Sequence, residues 1–416
     1  MEPVKAALMG AGSRGTYTYA DYAKMNPAML KIVAVAEPVE ARRKKIQDEH
    51  HLSDDRVFTD WKDAMQALPE DAEAVIIATQ DKMHAGPLAE AMARNLHIIC
   101  EKPIVPSLGE CGEIEKKSAP FNKVFMIAHV LKYTAFFSRI KELLDQGRIG
   151  KLIGIDLVEN TGHVHMSHSF VRGNWRNLSE SSPMILAKSC HDMDMLHWLA
   201  GAPCESLSSY GDLHYFKKEN APQDAPLRCL DGCPHMEDCP YHVSKIYLGP
   251  DTGWPVNVIS TDLSIEGRFK ALQEGPYGRC VFHCDNDVVD HQSVSLRFAN
   301  GVLASFTMTA FSMDITRNIT LFGTGGEMSG NLEKGLITIK DFSSRNIDNI
   351  AIAPATGGHS GGDENFITDF VRTIRGGGAA RNAVKNAFES HYMAHAAEYS
   401  RLRGAQTIRL EDIKVL

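Results

Sequence analysis

Five continuous apolar runs mark the first 130 residues: Val4–Met9, Leu30–Ala36, Ala74–Thr79, Leu96–Cys100 and Val124–Ala128. Each is short and rich in Val, Ile, Ala or Leu. Unbroken rather than alternating apolar runs suit strands covered on both faces, as in a parallel sheet. Amphipathic stretches lie between them: Val39–Glu49, Ala85–Arg94 and Leu108–Lys117. Strand and helix in regular succession imply right-handed crossovers, so residues 1–128 are expected to fold as a doubly wound α/β unit.

The pattern changes after residue 130. Phe136–Leu144 reads as a helix ended by Gln146-Gly147, and Leu152–Val158 as a strand. Ser189–Leu199 reads as a helix with His191, Asp194, Met195 and Trp198 on one stripe. Gln292–Phe298 and Val302–Thr309 alternate in polarity around Asn300-Gly301, a strong hairpin signal. Ile319–Phe322, Glu327–Asn331 and Gly335–Phe342 continue as short strands. Asn365–Ile374 and Ala383–Arg401 return to helix around the glycine run Gly376–Gly378. Residues 129–416 are thus expected to form a second α/β domain with a large, mostly antiparallel open sheet, one face packed and the other free. No internal repeat or low-complexity segment stands out.

Composition narrows the function. The chain has 416 residues, a length that suits two or three domains. Hydrophobic residues make up 44% and charged residues 23%, an ordinary globular balance that excludes a largely disordered chain. With 44 Lys and Arg against 52 Asp and Glu, the net charge of −8 argues against nucleic acid as the main partner. No apolar stretch approaches the ~20 residues of a membrane helix, and the start, MEPVKAALMGAG, lacks the features of a secretory signal. Nine cysteines, an odd number, are expected to be reduced thiols in a cytoplasmic protein.

Gly10-Ala11-Gly12-Ser13-Arg14-Gly15 follows the first apolar run and opens a helical segment. In that context Gly10 permits a tight turn, Gly12 lets backbone approach a pyrophosphate, and Gly15 lets helix pack on strand. The helix N-terminus then offers N–H groups to phosphate oxygens. Glu37 ends the second strand, where an acid accepts hydrogen bonds from ribose hydroxyls. It would repel a 2′-phosphate, which favours NAD over NADP; Arg42 and Arg43 pull the other way. Glu101-Lys102-Pro103 ends the strand before residue 101, at the edge where such sheets bind ligands. On the residues alone, Lys102 either flanks the nicotinamide or forms a surface ion pair with Glu101.

Together, Gly10–Gly15, Glu37, Glu101-Lys102-Pro103 and the later helix with His191 resemble the Gfo/Idh/MocA oxidoreductases, named for glucose–fructose oxidoreductase and inositol dehydrogenase. The resemblance covers nearly the whole chain. It implies an N-terminal Rossmann domain and a C-terminal α/β domain whose open sheet builds homo-oligomers, dimers or tetramers. It also implies oxidation or reduction of sugars, cyclitols and related polyols with NAD or NADP. By the same resemblance, Gly10, Gly12, Ser13, Arg14, Gly15, Glu37, Glu101 and Lys102 hold the cofactor, and Lys102 and His191 are catalytic. Many relatives carry Asp four residues before the histidine; here that place is Ala187. Lys188, three residues before His191, shares its face if helix extends that far, so a site with two lysines and one histidine is expected. In it His191 acts as base or acid, with Lys102 as electrostatic partner. Asp194, one turn from His191, orients the ring or faces solvent.

Further polar groups suit a carbohydrate. His168, Arg172, Asn174 and Trp175 lie in one loop, with Trp175 expected to stack on a sugar and the others to bind hydroxyls. His163 and His165 alternate as in a strand and offer a possible metal pair. His359 sits in a glycine-rich stretch before a helix as a second substrate contact, with Asp363 as a candidate N-cap. Cys229, Cys233 and Cys239, with His235 and His242 interleaved, lie in a proline-containing insertion at about 204–284 and suggest a structural zinc. Three functions compete. The leading one is an NAD-dependent dehydrogenase for a sugar, glycoside or cyclitol. The second is a redox-neutral glycoside hydrolase working through a 3-keto sugar. The third is a non-catalytic cofactor-binding or sensor protein, against which His191 and Lys102 argue.

Overall fold

A computed structural model describes residues 2–353, 358–378 and 384–415. Six strands form the first sheet: β1 (Val4–Met9), β2 (Leu30–Ala36), β3 (Val57–Phe58), β4 (Ala74–Ile77), β5 (His97–Cys100) and β6 (Phe125–Ile127). Their order is β3-β2-β1-β4-β5-β6, and every pairing is parallel. This is the Rossmann order, with its switch point between β1 and β4. The apolar runs became strands because both of their faces are covered: every residue of β4 is buried. The short edge strand β3 has no comparable run and is not visible in the apolar pattern.

The second sheet has nine strands: β7 (Leu152–Asn160), β8 (Cys204–Asp212), β9 (His291–Phe298), β10 (Leu303–Thr309), β11 (Thr316–Gly323), β12 (Gly326–Asn331), β13 (Leu336–Asp341), β14 (Ile347–Ala351) and β15 (Ile408–Arg409). The order is β14-β13-β12-β11-β7-β10-β9-β8-β15. All pairs are antiparallel except β10 with β7. The Asn300-Gly301 turn joins β9 to β10 as expected, with Gly301 at φ +87°, a conformation that suits glycine. Burial alternates strictly along β9, so one face packs and the other is open.

The two halves share their cores. The helix Gly362–Ile374 sets Phe366, Ile367, Phe370 and Val371 among Val4, Ala6, Leu8, Tyr19 and Ile32 of the first sheet's layer. The opposite face of that sheet, through Ala7, Met9 and Ile77, is continuous with the core under the second sheet and with the long helix Val384–Leu402. The insertion differs from the expectation at its start. Cys204 begins β8, a full member of the sheet, so the added segment runs only between β8 and β9. It carries its own small core of Cys229, Val243, Tyr247, Val256 and Leu272.

Candidate functional site

The chain leaves β1 through Gly10, whose φ of +93° and tight fit leave no room for a side chain: a Cβ there would lie 2.6 Å from the Ala78 carbonyl oxygen. A Cβ on Gly15 would lie 2.0 Å from the Gly10 oxygen, so both glycines are sterically required. At Gly12 a Cβ would meet nothing within 4 Å, which leaves that backbone open to a close-lying group. Ser13 is exposed at the start of the helical run that continues through Gly15–Ala20 and Asp21–Met25. Glu37 is buried, and its carboxylate accepts the Ala11 N–H at 2.7 Å and the Val39 N–H at 3.0 Å. A carboxylate has roughly four lone-pair positions, so it can also accept from a ribose diol. Arg43 is held by the Glu37 and Pro38 carbonyl oxygens. The residues present therefore fit a dinucleotide.

Arg14 serves as a bridge. Its guanidinium donates to Glu101 at 2.6 Å and, through two nitrogens at 2.8 Å each, to Asp363. Glu101 also accepts from the Tyr19 hydroxyl at 2.8 Å. Despite burial, the charges of Arg14 and His359 hold the Asp363 carboxyl well below the usual carboxylate range. Asp363 is thus an ion-pair partner, not the N-cap: Gly361 occupies the cap position without a side-chain bond. His359 bonds Asp363 at 3.0 Å and lies 5.7 Å, ring to ring, from His191.

Lys102 follows β5, and its ammonium donates to the Ala187 carbonyl oxygen at 2.6 Å. Ala187 has no carboxylate to offer, and it anchors the lysine through its backbone oxygen. The Lys102–Pro103 peptide is cis. His191 lies in the first turn of the helix Cys190–Ala200, with its ring buried and Nδ1 without a hydrogen-bond partner. Burial, then the positive charge of Lys102, then His129, His359 and Arg317 push its pKa well below 6.5. It is therefore a neutral imidazole beside a lysine cation, able to accept a proton.

Lys188 is not aligned with His191 on a continuous helix, since Met184–Ala187 and Cys190–Ala200 are separate segments. Its ammonium lies 3.2 Å from Glu159, and burial lowers its pKa. Glu159 in turn pairs with Arg317 at 2.8 Å, and Arg317 with Asp192 at 2.7 Å. Two cations and two carboxylates thus neutralise one another in the interior. Asp194 turns away from solvent: Lys132 donates to it at 2.7 Å and His129 lies 3.4 Å away. These partners, working against burial, pull its carboxyl down to about 2.

The loop histidines do not form a strand; His163–His165 is a helical turn. His163 Nδ1 is bonded to the Ser312 carbonyl oxygen, and among the described residues no group of three metal-ligating side chains includes His163 and His165. Arg172 is fully buried and donates to the carbonyl oxygens of Arg279 and Tyr241, both in the insertion, at 2.7 Å each. It anchors that segment, contrary to the hydroxyl-binding role expected of it. Asn174 is exposed. Trp175 donates to Asp81 at 3.2 Å, and its ring lies 6.0 Å from the Lys102 ammonium. His168 is buried, bonded to the Tyr247 hydroxyl at 3.0 Å and stacked on Tyr277 at 4.7 Å. The zinc expectation is not supported: among the described residues no three His, Cys, Asp or Glu side chains are arranged to hold a metal ion. Cys229 lies in the insertion core and receives an Arg172 N–H at 3.8 Å, while the His235 and His242 rings bond the Gln223 and Cys229 carbonyl oxygens. All nine cysteines, Cys233 and Cys239 included, are free.

Sequence reasoning missed Glu159, Arg317, Asp192, Lys132 and His129. A signal existed for two of them. Glu159 follows Ile155 and Leu157 in the buried phase of β7, and Arg317 precedes Ile319 and Leu321 in that of β11. A charge in a core-facing phase needs a partner, and the register places the two opposite each other.

The description "Oxidoreductase family, NAD-binding Rossmann fold" matches residues 4–129, and "Oxidoreductase family, C-terminal alpha/beta domain" matches residues 141–406. The chain is 23% identical over 319 residues to the oxidoreductase YteT of Bacillus subtilis, a match covering 71% of each chain. It is 28% identical over 204 residues to inositol 2-dehydrogenase of Streptomyces avermitilis, covering 47% of this chain and 52% of that one. It is 29% identical over 142 residues to 2,7-anhydro-N-acetylneuraminate hydratase of Mediterraneibacter gnavus, covering 34% of this chain and 37% of that one. Among solved structures, levoglucosan dehydrogenase in complex with NADH and levoglucosan superposes with a TM-score of 0.73 at 18% identity, over 98% of this chain and 100% of that one. No helix among the described residues is long and apolar enough to cross a membrane. Two family models that together span most of the sequence, on a Rossmann sheet and a mixed sheet of the matching kind, place this chain in the Gfo/Idh/MocA family of NAD-binding oxidoreductases.

Proposed function

We propose that this protein is an NAD-dependent dehydrogenase acting on a secondary alcohol of a sugar, glycoside or cyclitol. The observation that carries the reading is the neutral, buried His191 beside Lys102, whose ammonium is fixed on the Ala187 carbonyl at the C-terminal edge of the first sheet. The nicotinamide, when bound, supplies the hydride acceptor or donor. The protein handles the proton and the geometry. His191 takes the hydroxyl proton, and Lys102 stabilises the negative charge that develops on that oxygen. Lys188 sits close behind, its charge held by Glu159. Gly10, Gly12, Ser13 and Gly15 receive the pyrophosphate, and Glu37 the adenosine ribose. Its carboxylate favours NAD over NADP. Arg14 acts by holding Glu101 and Asp363 together. Inositol 2-dehydrogenase and levoglucosan dehydrogenase among the similar proteins support the substrate class.

A screen of polyols, sugars and aryl glycosides with NAD and NADP, followed at the NADH absorbance, tests the reading. Turnover that survives both His191→Ala and Lys102→Ala refutes the assignment. A second reading, redox-neutral glycoside hydrolysis through a 3-keto sugar, is favoured by the relative named a hydratase and by the replacement of the usual Asp with Ala187. It predicts released aglycone without net NADH. The open face of the second sheet, where Leu303 and Phe322 are exposed, supports a homo-oligomer, dimer or tetramer, which light scattering tests. The reduced cysteines support a cytoplasmic location.

A further inference from the structure

The insertion between β8 and β9 does more than pack on itself, for it sends an aromatic side chain back to the catalytic half of the molecule. Trp254 lies in this segment and is 42% exposed. Its ring meets His165 at 4.9 Å and His168 at 5.5 Å, both nearly edge to face. Tyr277, also from the insertion, stacks on the other partner, His168. Arg172 clamps the base of the insertion by two carbonyl oxygens, so these rings are held on the β7 side of the molecule.

His165 is the link to the chemistry. Its ring meets Phe170 at 5.7 Å, Phe170 meets Trp175 at 6.2 Å, and the Trp175 ring lies 6.0 Å from the Lys102 ammonium. The buried Nδ1 of His165 has no hydrogen-bond partner. A half-exposed indole is thus joined to Lys102 through the rings of His165, Phe170 and Trp175, and the first of these carries an unsatisfied nitrogen. An indole face covers the C–H face of a sugar, while neighbouring polar atoms take hydroxyls. Trp175 is the ring next to Lys102, and Trp254 lies further along the same run of aromatic side chains.

We infer that Trp254, with His165 beside it, forms a subsite for a second sugar ring, so that the preferred substrate is a glycoside or disaccharide rather than a free monosaccharide. The inference rests on the dehydrogenase reading and deepens it by naming which carbohydrates are preferred.

The test compares kcat/KM of the full-length enzyme with NAD on glucose, galactose and myo-inositol against cellobiose, maltose and lactose, for the wild type, Trp254→Ala, Trp254→Leu and Trp254→Phe. The wild type is expected to prefer at least one disaccharide over its component monosaccharide. In Trp254→Ala and Trp254→Leu that preference falls about tenfold, mainly through KM, and Trp254→Phe restores most of it. Melting temperatures identify a variant that fails to fold, in which case the other one decides. An unchanged preference in Trp254→Leu, an equal loss on both classes, or a wild-type preference for the free ring overturns the subsite while leaving the dehydrogenase intact. If the wild type oxidises no compound of either class, the dehydrogenase reading fails and the subsite with it.

Discussion

Asp194→Asn tests whether the interior beside the catalytic helix is held by charge. Asp194 and Lys132 are each about 1% exposed, and the ammonium donates to the carboxylate at 2.7 Å. Removing one member of such a pair leaves the other charge buried, which typically costs about 3–5 kcal/mol. A second route to the magnitude is the carboxyl itself, pulled from 3.8 to about 2; that difference favours the charged form by roughly 2–3 kcal/mol. Asparagine keeps one acceptor for Lys132, so the expected loss at pH 7 is about 2–4 kcal/mol in urea unfolding. The folded-state pKa is depressed, so the stabilisation is present above the unfolded value near 3.8 and fades as pH falls toward 2. The gap between wild type and variant should close over that window. Adding Lys132→Met to Asp194→Asn removes the stranded charge and should recover at least half of the loss. A cost below about 1 kcal/mol at pH 7, or a double variant as unstable as the single one, refutes the argument.

Three other outcomes follow from the site. His191→Ala and Lys102→Ala should each lower kcat by about 10²–10⁴, the usual weight of a general base or of an electrostatic donor, with NADH affinity measured by calorimetry as the control. Because burial and the cations Lys102 and Arg317 push the His191 pKa down, the neutral base persists as pH drops. The acid limb of kcat/KM should then lie below 6.5, and a limb at or above that value contradicts the assignment. Glu37→Gln should weaken NAD binding about tenfold, the order of one lost charge-assisted hydrogen bond, and narrow the preference over NADP, both readable by titration of nucleotide fluorescence.

What the sequence disclosed, and what it hid, divides by physical range. The apolar runs gave β1 and β2 to the residue, because a strand covered on both faces writes its burial into consecutive positions. Gly10 and Gly15 were legible as a motif, although only Gly15 is constrained locally, by the Gly10 oxygen, whereas a side chain on Gly10 would meet the distant Ala78. The partners of Arg14 and Arg317 were not. Arg14 finds Asp363 across 349 positions, and Arg317 finds Asp192 across 125. A single sequence carries no local mark of such pairings. That range also explains the misassigned residues. Arg172, Asp194 and Asp363 are polar groups that function would claim if they were open to solvent, yet each is buried with a protein partner. A buried charge must be neutralised, so the partners of these three were already fixed by the fold. His191 shows the converse. It is a buried titratable ring with an unsatisfied nitrogen amid cations. Burial and those cations keep the ring neutral, the form a base needs, and they favour handing on any hydroxyl proton it accepts, which is the physical ground for assigning the chemistry to this ring.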